Sequence, residues 1–199
     1  MVQDVLIVFA SKRGSREVAA EIAATLREAG LEIDLRQADE KVDLAQFRAV
    51  VLGGSLYMGR WHEDARAFLR QFRNELSGMP VAVFTLGPID EVRRARKGAR
   101  KQLERALTKT PQVKPVAVEI FGGVVDPSKL SFPFKHMPAV DLRDWEAIRA
   151  WASGLPAALG LVREAARVRA PIGRVRVPGT RTRPACVTPA PTRLTAAPS

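Results

Sequence analysis

The chain has a single cysteine, no long apolar run and, beyond Glu164, no acidic residue at all. Each shortage excludes something. Cys186 stands alone among 199 residues, so no internal disulfide forms, and no Cys or His neighbours it at metal-ligand spacing. No apolar stretch approaches the roughly 20 residues that a bilayer crossing requires, and the chain opens on a strand pattern instead of a basic, apolar, small-residue leader. A cytoplasmic protein is expected. Histidine is scarce too: neither His62 nor His136 has a carboxylate arranged as a dyad, and Glu63 and Asp64 suit a helix start, where negative charge meets the positive end of the dipole.

The missing acids make the C-terminal segment distinctive. From Ala165 to Ser199 there are seven Arg, at 167, 169, 174, 176, 181, 183 and 193, and six of the fourteen Pro. This stretch carries +7 of the formal net charge of +11. Its Pro content and lack of apolar periodicity predict a disordered basic tail over residues 161–199. Such a tail reads either as a solvated extension without a specific partner or as an attachment to nucleic acid or an anionic membrane surface; no specific nucleic-acid partner is expected. Residues 1–160 are long enough for one globular domain with a full core.

That domain reads as alternating strands and helices. Continuous apolar runs at Val5–Phe9, Ala49–Leu52, Val81–Thr85 and Val116–Phe121 predict strands covered on both faces, and Leu31–Leu35 supplies a weaker fifth. Val18, Ile22 and Leu26 share one helical face, as do Ala65, Phe68, Leu69 and Phe72, and again Trp145, Ile148, Ala152 and Leu155. Asp141 and Asp144 precede the last stripe as cap and dipole partners. Residues 90–109 are basic and predict a solvated helix. The pattern implies an α/β fold: a doubly wound, five-stranded parallel sheet with right-handed crossovers and helices on both faces. Ligands of such sheets bind beyond the carboxyl ends of the strands, where the winding reverses.

Three loops fall at that edge. The first, Ser11-Lys12-Arg13-Gly14-Ser15, joins an apolar strand to an amphipathic helix. It is neither a Walker loop nor GxGxxG. It reads either as a phosphate cradle, with helix N–H groups and the dipole aimed at an anion, or as an ordinary turn with Ser15 as N-cap. The second, Gly53–Trp61 (GGSLYMGRW), and the third, Thr85–Asp90 (TLGPID), are rich in Gly and hydroxyl groups, and the second adds Tyr57, Met58 and Trp61. An anion cradle beside aromatic faces and backbone donors suits a flat cofactor with a phosphate arm. FMN fits better than a nucleoside triphosphate, for which no Mg²⁺-holding acid is evident.

The segments LIVFASKRGS followed by REVA, VVLGGSLYMGRWHEDARAFL, VAVFTLGP, FGGVVDPSKLSFPF and DLRDWEAIRAWA span residues 4 to 155. Together they resemble the flavodoxin-like proteins, and among them the flavodoxin-domain family that includes menaquinone-dependent protoporphyrinogen oxidase. The resemblance implies a flavodoxin-like fold with non-covalent FMN. Ser11, Lys12, Arg13, Gly14 and Ser15 would hold its phosphate. Ser55, Leu56, Tyr57, Met58 and Gly59 would form one side of the flavin pocket, and Thr85, Leu86, Gly87 and Pro88 the other. Where the family places a Thr after Gly-Ser or Gly-x, this chain has Arg16, so Ser15 or Arg16 would serve in its place. The family activity moves hydrogens from a tetrapyrrole through the flavin to a quinone, with no dedicated acid or base from the protein.

Three classes remain open. One is a flavin oxidoreductase, whose segment 122–137, with Phe132, Phe134, Lys129 and Lys135, would meet an amphipathic acid or the inner membrane face. Another is a soluble electron-carrying flavodoxin, against which the basic charge argues. The third is a binding or regulatory protein of this fold that has lost FMN.

Overall fold

A strand that is apolar at every position, not at every second one, requires cover on both faces. In β1 (Gln3–Phe9), Val5, Ile7 and Phe9 enter one core while Leu6 and Val8 enter the other. The computed structural model describes residues 2–10, 14–57, 60–87, 93–125 and 139–161. After β1 come α1 (Gly14–Glu28), β2 (Ile33–Gln37), a 3-10 turn at Leu44–Gln46, β3 (Phe47–Tyr57), β4 (Arg60–Trp61), α2 (Glu63–Gln71) and α3 (Arg73–Ser77). Then follow β5 (Val81–Leu86), α4 (Arg93–Leu107), β6 (Ala117–Phe121), β7 (Val124–Val125), β8 (Val140–Asp141) and α5 (Trp145–Ala158).

Five strands pair in parallel in the order β2-β1-β3-β5-β6, so the winding reverses between β1 and β3. The first core takes Val18, Ile22 and Leu26 of α1 and Ile148, Ala152 and Leu155 of α5. The second takes Phe68 and Leu69 of α2, Leu76 of α3, and Ala99 and Leu103 of α4. The sheet is therefore sandwiched, as the continuous apolar runs require. Asp144 caps α5 by accepting from Ala147 N at 2.9 Å, and His62 caps α2 through Nδ1, which accepts from Asp64 N at 3.3 Å.

The structure departs from the sequence-based expectations in specific places. The sheet has six strands, because β4 adds antiparallel to the end of β3, with Leu56 opposite Trp61 and Tyr57 opposite Arg60. Gly53 and Gly54 thus lie inside a strand and not in a loop. Phe84 explains the first: its ring occupies the space where a Cβ of Gly53 would stand. β2 begins at Ile33, not Leu31, and Leu31 is buried in the turn before it. Ser15 is the second residue of α1 and not its N-cap, and Asp141 lies in β8. β7 and β8 form a small antiparallel ladder of their own. The basic tail lies, past Leu161, outside the described residues. Among the described residues no helix is long and apolar enough to cross a membrane.

Candidate functional site

The site edge is built from the carboxyl ends of β1, β3 and β5. Phe9 pairs with Gly53, Gly54 with Thr85, and Ser55 with Leu86, so the three sequence-predicted segments start from adjacent strands. Ala10 N donates to Gly53 O at 2.9 Å, extending the ladder past β1 into the first loop. Thr85 Oγ1 donates to Gly54 O at 2.7 Å, fully buried, and ties the third segment to the second. Thr85 and Leu86 belong to β5, and Ser55 and Leu56 are half-buried in β3, so the pocket walls begin as strand, not as loop.

The start of α1 is wedged against the same edge. Gly14 and Ser15 are buried, whereas Arg16 is exposed. A Cβ on Gly14 would overlap Val124 of β7 and stand 2.9 Å from Leu86 Cδ1. Only glycine admits that approach, so the helix N-terminus sits directly against the third segment. The first four N–H groups of any α-helix lack acceptors within the helix, and the dipole adds positive potential there. An anion just above β1 would meet both.

One acid lies in the first turn, Glu17, and it would oppose an anion. Arg143 takes it up: Nη1 donates to the Glu17 carboxylate, and Nε donates to Asp141 Oδ1 at 2.8 Å. The guanidinium also lies 4.8 Å from the ring centroid of Trp145, and its side chain is only 9% exposed. Hydrogen bonding to Arg143 holds the Asp141 carboxyl below its usual range, and the bond to Asp141, with that to Glu17, raises the Arg143 pKa further. Arg143 and Val124 support the start of α1, which sequence reading missed; the only signal was the Asp-x-Arg spacing of 141 and 143.

Gly87 follows β5 and donates from its N to Phe121 O at 2.8 Å, so the third segment turns while held to β6. Ser11, Lys12, Arg13, Met58, Gly59 and Pro88 lie outside the described residues, as do Lys129, Phe132, Phe134, Lys135 and His136; Tyr57 closes β3. His62, near this edge through its N–H to Ser55 O at 3.0 Å, caps α2 through Nδ1. Among the described residues no three His, Cys, Asp or Glu side chains converge as metal ligands.

Residues 6–140 match the family described as flavodoxin domain. The chain belongs to the flavodoxin-domain family. Its fold is shared with a cysteine-to-alanine mutant of flavodoxin from Pseudomonas aeruginosa, 22% identical, with a TM-score of 0.52 over 79% of this chain and 99% of that one. A metal-soaked flavodiiron core from Synechocystis is 13% identical, with a TM-score of 0.53, over 80% of this chain and 36% of that one. No curated protein matches the chain. For a flavodoxin domain of this strand order, the β1/β3 reversal is the expected ligand position, and it is where α1 presents its N-terminus.

Proposed function

We propose that this flavodoxin-domain protein binds FMN at the β1/β3 edge and works as a flavin-dependent oxidoreductase. The observation that carries the reading is the buried Gly14–Ser15 start of α1, wedged against Leu86 with the one acid of its first turn withdrawn by Arg143. That arrangement fits a phosphate. Backbone N–H groups of α1 would hold it, with Ser11, Lys12, Arg13 and exposed Arg16 supplying further donors and charge. Ser55, Leu56, Tyr57, Met58 and Gly59 would flank one side of the ring, and Thr85, Leu86, Gly87 and Pro88 the other. FMN, when bound, supplies the redox chemistry, accepting and releasing one or two electrons. The chain's part is to bind, orient and shield: Leu86, buried beside Gly14, keeps water from the phosphate end, and the Thr85 bond to Gly54 O keeps the two walls in register.

For the substrate, we infer a reduced tetrapyrrole as donor and a quinone as acceptor, as in menaquinone-dependent protoporphyrinogen oxidase. Support comes from the resemblance of residues 4–155 and from the apolar and basic composition of 122–137, a segment that begins beside the ladder covering Gly14. We also place the folded domain at residues 1–160 and the basic tail at 161–199, with membrane contact through the tail or 122–137. A soluble electron-carrying flavodoxin is the second reading, since it needs the same cofactor. The test is a visible absorption spectrum of the purified protein before and after FMN titration, followed by turnover of protoporphyrinogen IX with a menaquinone. Flavin bands with turnover support the oxidoreductase. Flavin bands without turnover favour the carrier. No bound flavin and no spectral change on titration would leave the binding protein.

A further inference from the structure

α4 lacks the first-turn acid that α1, α2, α3 and α5 each have, and its like charges at i,i+4 are not offset by carboxylates as those of α1 and α2 are. Residues 93–109 hold eight Lys and Arg against Glu104 alone, a net +7, while residues 1–164 total +4; the rest of that body is therefore −3. The described helix opens Arg93-Arg94-Ala95-Arg96-Lys97 with no acid in its first turn; Asp90 and Glu91 precede it in the sequence, and four cations still fall in its first five positions, at the positive end of its own dipole. Lys97, Lys101 and Arg105 then follow at four-residue intervals, all exposed, with Lys109 one more interval on. Like charges at i,i+4 repel by a few tenths of a kcal/mol per pair, ~0.2–0.5. On α2, by contrast, Glu63 pairs with both Arg66 and Arg70, and Glu21 of α1 meets Arg149 at 2.9 Å. On α4 only Arg100 has a carboxylate, Glu104 at 3.2 Å, among the described residues. Among the described residues no further carboxylate pairs with these cations, and broken local rules of that kind mark a functional surface.

Its position says which surface. Ala99 lies on the sheet, 3.7 Å from where a Cβ of Gly87 would be, and Arg96 Nη2 donates to Ile120 O at 3.4 Å. The N-terminal half of the helix therefore flanks the same carboxyl edge as the candidate flavin site. We propose that the outward ridge of α4 is the docking surface for an acidic protein partner, seated beside that edge. Fifteen residues span about 22 Å, too long for one small anion. On the same face of the sheet α2 and α3 alternate Glu63, Asp64 and Glu75 with Arg66, Arg70 and Arg73, so among the described residues the excess positive charge lies along α4, with exposed Arg60 of β4 beside it, and does not spread into a plane for lipid headgroups. The exposed large apolar residues Val2 and Val116 stand at the opposite, amino ends of β1 and β6, away from the ridge. No aromatic side chain interleaves the ridge to stack on nucleic-acid bases.

The test uses the full chain and labelled poly-L-glutamate, followed by fluorescence anisotropy across ionic strength, with phosphatidylglycerol vesicles and a single-stranded oligonucleotide in parallel. Lys97→Glu/Lys101→Glu/Arg105→Glu is expected to weaken poly-glutamate binding at least tenfold at low salt, with the gap closing as the Debye length falls below about 10 Å. The matched reversal Arg174→Glu/Arg176→Glu/Arg181→Glu is expected to weaken it less than threefold. The milder Lys97→Gln/Lys101→Gln/Arg105→Gln, checked by circular dichroism, is expected to give an intermediate loss. Equal loss in the helix and tail variants, or a helix-variant loss larger on vesicles or oligonucleotide than on poly-glutamate, would overturn the proposal. Its purpose rests on the flavin reading but its existence does not. Helix-specific binding by a chain without flavin absorption would sink the flavin reading and leave the docking surface standing.

Discussion

Val124 covers the bare Cα of Gly14, occupying the space that a side chain there would need. This contact fixes the N-terminus of α1 against the sheet edge, and it makes Gly14 a tightly constrained position of the candidate phosphate site. Gly14→Ala should push α1 away from Val124 and Leu86, costing about 1–3 kcal/mol by overpacking. It should also weaken FMN binding, read by denaturant unfolding and by flavin fluorescence titration of the same protein. Wild-type stability and affinity in the variant would mean that the helix start is not held as described.

Arg143 gives a prediction in pH. Its hydrogen bonds hold Asp141 below the ordinary carboxyl value of 3.8, so this contribution to stability is fully present above pH 3.8 and is lost as pH falls through the lower folded value. Arg143→Gln should be less stable than wild type by about 1 kcal/mol near neutrality, because Glu17 and Asp141 are themselves half exposed. The gap should narrow below pH 3.8. Unfolding curves for both proteins at several pH values decide it; a gap that widens in acid contradicts the assignment.

Thr85 and Gly54 clamp β5 to β3 through one buried hydrogen bond. Thr85→Val keeps the shape, removes the donor and leaves the Gly54 carbonyl short of a partner, at a cost of about 1–3 kcal/mol. Thr85→Ser keeps the donor and should recover most of that loss. Equal destabilisation by Val and Ser would assign the effect to packed volume instead.

Trp61 is 1% exposed, and its Nε1 has no hydrogen-bond partner among the described residues. An unmet buried donor is itself a cost, so removing it together with part of the ring partly compensates the lost burial. Trp61→Phe should therefore cost under about 1.5 kcal/mol, whereas Trp61→Ala, which opens a cavity, should cost about 3–5. Chemical denaturation of the pair compares them directly, and a Phe variant as damaged as Ala would show that the indole nitrogen is satisfied in solution.

The parts of the fold that were legible in the sequence are those where one segment decides its own environment. Val5–Phe9 and Val81–Thr85 are apolar at successive positions, which only a doubly covered strand permits, and the stripes Val18-Ile22-Leu26 and Ile148-Ala152-Leu155 each fit one helix face. The extension of β3 through Gly53 to Tyr57 was not legible, because it depends on Phe84, 31 positions beyond Gly53, filling space over the glycine and on Trp61 folding back over Gly54. β7 and β8 are two residues each and too short for any periodicity. In the candidate site, the adjacency of the three segments followed from topology, but Arg143 did not. Its role comes from reaching Glu17, 126 positions away in the chain.

The β7–β8 ladder joins Val125 to Val140, so residues 126–139 leave and re-enter the domain at one point. Closing such a loop costs only about 0.6 kcal/mol more for each doubling of its length. Among the described residues the supports of Gly14 are Val124 of the ladder, Leu86 of β5 and, through Glu17, Arg143 just after the ladder. A lineage could therefore lengthen or shorten 126–139 and leave the described supports of Gly14 in place, because those supports lie on either side of the segment and not in its length.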